Sequence, residues 1–268
     1  MSTATTEVRS GIRAKRAGFS SEIMAVAIRA LRSILRDPEG VIPPLIFPVF
    51  FFIVNVGALK DVAERLPGID YLEFQLPVAI IFAVTGISRA VMVVTDIQGG
   101  YFDRLSLTPI NRLAMLLGLM VADLALVVAL TVPVLALGFV FGVWFESGPL
   151  GILVFVLIAG LWGLVYTGFP YAIALKTGNP AAVNSSFLLF LPFVFLTTLF
   201  LPKDALTGWM ANVATYNPVT YLLDALRSLI SEGWDAQALL AGVGAVLCVG
   251  VVSMSLALFA LHGRVRQR

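Results

Sequence analysis

Residues 113–142 read LAMLLGLMVADLALVVALTVPVLALGFVFG, thirty residues in which Asp123 is the only charge. A helix needs about 20 mostly apolar residues to cross the hydrocarbon core of a bilayer. This stretch is long enough to span with tilt or to extend beyond the bilayer. Working outward from it, five more apolar stretches of spanning length occur at 41–59, 74–95, 150–175, 181–202 and 237–261. They are too long for barrel strands, and a helix satisfies its own backbone polar groups in lipid. The expected fold class is an all-α membrane protein with six transmembrane helices.

Composition points the same way. The chain has 268 residues, 59% hydrophobic and 13% charged, with a mean hydropathy of +0.95. Soluble domains carry about 25% charged residues. A soluble globular enzyme and a disordered chain are both excluded. The net charge of +2 gives no reason to expect a nucleic-acid partner. One cysteine, Cys248, rules out an intrachain disulfide, and with one histidine, His262, no structural zinc site is expected. Cys248 is expected to pack as a small hydrophobe. The first forty residues are polar and basic, so no cleavable signal peptide is expected.

Lys and Arg placement sets the orientation. Thirteen fall on one side of the expected spans, seven of them in the N-terminal segment, against four on the other: Lys60, Arg65, Lys203 and Arg227. Both termini are therefore expected in the cytoplasm. Residues 1–18 read as a basic tail, 19–37 as an interfacial amphipathic helix, and 38–268 as the six-helix domain. Within SSEIMAVAIRALRSILR (20–36), Ile23, Met24, Ala27, Ile28, Leu31, Ile34 and Leu35 share a face, and Asp37-Pro38 ends the helix. In the connector 203–236, residues 204–216 predict a short interfacial helix around Trp209. Asn217-Pro218 then starts a further helix, with Asn at the N-cap and Pro at the first helical position. Asp224 and Arg227, three apart on it, can pair. It is too short to cross, and is expected to be re-entrant or to cap the bundle.

No phosphate-binding G-x-x-x-x-G-K-[ST] loop, H-E-x-x-H motif or G-x-S-x-G elbow is present. Arg89 and Asp123 are charges inside expected spans, each costing about 2.5–3.5 kcal/mol at a helix centre. They can pair between neighbouring helices, as a structural tie or as part of an ion pathway. Thr85, Tyr171 and Thr198 are polar points on apolar spans, and Gly138-x-x-x-Gly142 is a small-residue contact pattern.

The stretch GGYFDRLSLTPINRLAMLLGLMVADL (99–124) resembles the signature of ABC-2 type exporter permeases of the daunorubicin-resistance type. The matching positions are Gly100, Phe102, Asp103, Arg104, Pro109, Arg112, Ala122 and Asp123. A second block, LPFVFLTTLFLPKDALTGWMANVATYNPVTYLLDALRSL (191–229), resembles the family's C-terminal signature through Pro192, Pro202, Trp209, Asn217, Pro218, Asp224, Ala225 and Arg227. NPAAV (179–183) also fits. The resemblance implies the membrane half of an ATP-driven exporter of a drug, lipid or glycolipid in a bacterial inner membrane. It implies a separate ABC ATPase subunit and a second copy of the chain or a related permease as partners, with membrane lipid around them. This chain would hold no cofactor, and ATP and Mg would bind the ATPase. Residues 20–36 and 97–112 become the coupling elements, with Arg29, Arg32, Asp103, Arg104, Pro109 and Arg112 toward the ATPase. Asn217, Pro218, Asp224 and Arg227 become an outer re-entrant gate. The alternative reading is an ion-coupled secondary transporter using Arg89 and Asp123.

Overall fold

A computed structural model describes residues 18–34, 42–63, 65, 70–85, 88–100 and 112–266. Among them every regular element is helical. Helices α1 (Phe19–Ile34), α2 (Ile42–Ala63), α3 (Tyr71–Thr85), α4 (Ala90–Gln98) and α5 (Arg112–Val140) form the first half. Then come α6 (Gly148–Tyr166), α7 (Gly168–Thr177), α8 (Pro180–Asn184), α9 (Phe190–Phe195), α10 (Gly208–Tyr216), α11 (Pro218–Ser231) and α12 (Ala236–Arg266).

Five segments are long and apolar enough to cross a membrane: α2, α3 with α4, α5, α6 with α7, and α12. The expected span 181–202 does not form one continuous helix. It divides into α8, a 3₁₀ turn over Ser185–Leu189, and α9, which ends at Phe195. The cause is local. Ser185 turns its hydroxyl back onto the Ala181 carbonyl, and Pro192 brings no amide to the ladder. Residues 196–202 are bent, and Thr197 Oγ1 donates to the Val194 carbonyl.

The bundle is built around α3, where every residue from Gln75 to Thr85 is buried. It packs against α2, α5, α6 and α11. One apolar core fills that end of the bundle, with Phe82, Phe155, Trp162 and Phe190 among its largest members. A second core joins α4, α7, α12 and the first half of α5 at the other end. Helix α1 joins it through Val26, Ala30 and Leu31, while Phe19, Met24 and Ile28 stay exposed. Its seat is Gly118 of α5: a methyl there would lie 2.6 Å from Val26 Cβ and 2.7 Å from the Ile23 carbonyl oxygen. Helices α7 and α12 approach just as closely. A methyl on Gly168 would lie 2.7 Å from the Ser253 carbonyl carbon, and Ser253 Oγ donates to the Val165 carbonyl at 2.5 Å.

The Gly138-x-x-x-Gly142 pattern divides its work. Gly138 packs on Leu76, whereas Gly142 lies past the helix end with φ 96°, where a side chain would be strained. Cys248 is exposed on α12 rather than packed.

Candidate functional site

Polar side chains gather at three levels along the bundle. At the end where α1, α4, α7 and α12 meet, Arg29 Nη2 of α1 pairs with Asp96 Oδ2 of α4 at 2.5 Å. Gln98 Nε2 donates to the Gly178 carbonyl at 3.0 Å, and Arg264 Nη1 of α12 donates to the Leu175 carbonyl at 2.8 Å. The free carbonyls at the end of α7 thus receive donors from two neighbouring helices, which a helix C-terminus requires. Arg29 is turned toward Asp96, so sequence reasoning found the arginine and missed the carboxylate. A charge near the end of an expected span was the signal. Arg32 is exposed on the same helix. Asp103, Arg104 and Pro109 lie outside the described residues, and Arg112 begins α5 with its side chain outside them.

Within the bundle, Asp123 of α5 is fully buried. Its Oδ1 accepts the backbone N–H of Arg89 at 2.8 Å, and its Oδ2 accepts the Tyr171 hydroxyl at 2.5 Å. Arg89 and Asp123 are brought together through the Arg89 backbone amide, while Arg89 Nε and Nη2 are buried without a hydrogen-bond partner among the described residues. The geometry explains the choice. Arg89 stands at the N-cap of α4 without a side-chain cap of its own. Asp123 takes one orphan amide there, and Ser88 Oγ takes the Ala90 N–H at 3.1 Å. A carboxylate at a helix N-terminus also meets the positive end of the helix dipole. One side chain of α5 therefore fixes where α4 begins and ties it to α7.

At the opposite end, Arg227 of α11 makes the densest set of contacts. Its Nε donates to the Phe74 carbonyl at 3.2 Å, Nη1 to Thr198 Oγ1 and Nη2 to the Thr198 carbonyl, both at 2.8 Å. The guanidinium lies 3.5 Å from the centre of the Phe74 ring. The expected Asp224 partner is 3.8 Å away. Burial pulls the Arg227 pKa down to about 9, against the opposing pull of Asp224 and Tyr71, so the group stays a cation at neutral pH. Burial also raises the Asp224 carboxyl, with Arg227 and Lys203 working against it. Asn217 caps α11 as expected, accepting the Val219 N–H at 3.0 Å. Its amide also donates to the Phe193 and Leu196 carbonyls at 2.6 and 2.9 Å, closing the end of α9. The far end of α11 is held by Ser147, whose hydroxyl donates to the Leu229 carbonyl at 2.6 Å. A cavity of about 620 Å³ opens beside Arg227, bordered by Asp70, Glu73, Asp224, Glu232 and Lys203.

Residues 21–230 match the family described as the ABC-2 type transporter. The chain belongs to the ABC-2 type transporter family. It is similar to a daunorubicin resistance ABC transporter permease protein of Streptomyces coeruleorubidus, 29% identical over 255 residues that cover 91% of this chain and 86% of the relative. It is also similar to a protein of Mycobacterium tuberculosis described as a probable doxorubicin resistance ABC transporter permease, 24% identical over 217 residues covering 80% of this chain and 79% of that one. ABC-2 permeases are the membrane subunits of ABC transporters, and the ATPase is a separate subunit. Among the described residues of this permease no group of His, Cys, Asp and Glu is arranged to hold a metal ion.

Proposed function

We propose that this ABC-2 permease is the membrane subunit of an ATP-driven exporter moving a hydrophobic or amphiphilic molecule out of the cytoplasm or the inner leaflet. The observation that carries this reading is the clasp between Arg29 and Asp96. It joins α1 to α4, and the segment 99–111 runs from α4 to α5, on which α1 is seated. An ATPase that engages α1 through Arg32 and the segment carrying Asp103, Arg104, Pro109 and Arg112 would move α4 and α5 together, as a rigid-body switch. ATP and Mg would be held by that partner alone. A second copy of this chain or a related permease would complete the transmembrane pathway. The names of the two relatives support a drug-like, amphiphilic cargo.

In this reading α8, α9 and residues 196–202 make a sixth crossing, and both termini face the cytoplasm of a bacterial cell. The division into tail (1–18), interfacial helix (19–37) and six-helix domain (38–268) stands with it. The basic excess at the α1 end supports that orientation. So do three of the four tryptophans, Trp144, Trp209 and Trp234, exposed on connectors of the other end, as at a bilayer interface. Helix α11, held at both ends, would be the outer gate, with Asn217, Pro218, Asp224 and Arg227 as its fittings.

The test is affinity purification from the native membrane with an ATPase assay. A stoichiometric subunit carrying a phosphate loop, with vanadate-sensitive hydrolysis, is the expected result. Absence of any ATPase after mild crosslinking at the α1 end overturns the reading. The buried Asp123 carboxylate favours one second reading, an ion-coupled carrier using Arg89 and Asp123. In that case Asp123→Asn shifts the pH dependence of transport, which it leaves in place in the exporter.

A further inference from the structure

Between α7 and α12, at the Arg29 end of the bundle, lies a groove of about 540 Å³. Its walls are almost wholly apolar: Phe169 from α7, Leu256 and Phe259 from α12. Leu256 and Phe259 are exposed, as on a lipid-facing helix surface. Its upper rim is different. There Lys176 and Arg264 line the groove from the ends of the two helices, and no acidic side chain does. Lys176 is exposed, and no carboxylate pairs with it or with Arg264 among the described residues. Arg264 places Nη1 on the Leu175 carbonyl, which fixes the guanidinium at the rim, while its Nε is buried with no hydrogen-bond partner. Thr177 takes no part, because its hydroxyl is used on the Ile173 carbonyl.

We infer that this groove is a binding site for an anionic phospholipid, with the phosphate held by Lys176 and Arg264 and an acyl chain laid along Phe169, Leu256 and Phe259. The order of the groups matches such a lipid: two cations at the level where the spans end, then hydrocarbon below. Basic pockets between transmembrane helices take anionic head groups for this reason. A free anion would have no use for the apolar walls, and a neutral lipid none for the paired cations. The site needs only that this end meets a lipid–water interface, so it stands whether or not the exporter reading holds.

The experiment uses the full-length protein in mild detergent, with or without its ATPase. It is exposed to equal amounts of phosphatidylglycerol and phosphatidylcholine, and retained lipid is counted by native mass spectrometry. Phosphatidylglycerol is expected to be retained preferentially. Lys176→Gln and Arg264→Gln should each cut that preference about fivefold, the worth of one surface cation. Should Arg264→Gln unfold the chain, Ala260→Phe fills the groove from α12 and should displace the lipid with both cations intact. Equal retention of the two lipids, or retention untouched by Lys176→Gln and Ala260→Phe, overturns the site. Displacement of the lipid by inorganic phosphate alone would make it a free-anion site and overturn it equally.

Discussion

Two arginines and one aspartate show how differently a single charge can be accommodated in this bundle. Asp123 is fully buried and accepts from two donors, and each hydrogen bond to a charged acceptor is worth about 1.5–3 kcal/mol. Tyr171→Phe should therefore destabilise the protein by about 1.5–3 kcal/mol. Asp123→Ala should cost more, about 2–4 kcal/mol, because it strands the Arg89 amide and the Tyr171 hydroxyl in the core. Asp123→Asn, which still accepts from the amide, should fall between. Thermal unfolding in mixed micelles, followed by circular dichroism, checks the order. That Arg89 and Asp123 could meet was legible in the sequence, since both are charges on the same side of the centre of neighbouring spans. That the donor is a backbone amide was not legible, because a helix break exposes an amide that no residue letter records. Arg227 is the converse case. Its charge and its Asp224 neighbour were legible, but its main partners are a carbonyl and hydroxyl of Thr198 and the face of Phe74, far away in the chain. Arg227→Lys should behave almost as badly as Arg227→Ala, since an ammonium cannot serve three acceptors spread along a planar fork.

At the scale of elements, length and hydropathy foretold most helices, and chemistry at the ends foretold the start of α11. Over 181–202 the single expected helix is interrupted, because apolarity persists but the ladder does not. An averaged hydropathy records the greasiness of FLPFVF and is blind to the missing amide of Pro192 and the back-bonding Ser185. Asn217 matters beyond its cap for the same reason. Asn217→Ala should cost more than the ~1 kcal/mol of an ordinary N-cap, because the carbonyls of Phe193 and Leu196 lose their donor as well. Faster hydrogen exchange in both α9 and α11, not α11 alone, is the expected signature. The seat of α1 gives a second test. Gly118→Leu should lift α1 from α5 while the spans still insert, so membrane yield holds and ATPase co-purification falls. Loss of membrane yield with it would mean that α1 is needed for folding rather than for docking.

For the whole molecule, the two ends differ in chemistry as the charge count anticipates. One carries Arg29, Lys176 and Arg264, the other Asp70, Glu73, Asp224 and Glu232 around its cavity. Tags on the two termini should be cleaved by a protease added to permeabilised cells and spared in intact ones. The coupling residues of segment 101–111 stay a sequence argument, resting on the family motif. Helices α2 and α12 each leave most of their most apolar stretch uncovered by the rest of the chain, with 17% and 22% of it buried. Their grip is nevertheless unequal. Gly168 of α7 receives Ser253 of α12, and Gly242 and Gly250 of α12 receive Tyr221 of α11 and Val165 of α6, whereas among the described residues nothing lies within 4 Å of a methyl placed on Gly57 in α2. In mechanical terms, α6, α7, α11 and α12 form a riveted beam, and α2 is a plank resting on α3. Sliding the beam would drive the helices into one another at every rivet, but tilting the plank only exchanges one set of greasy contacts for another. If the permease is driven as proposed above, displacement falls where resistance is lowest, and the widening and narrowing of the bundle is expected at α2.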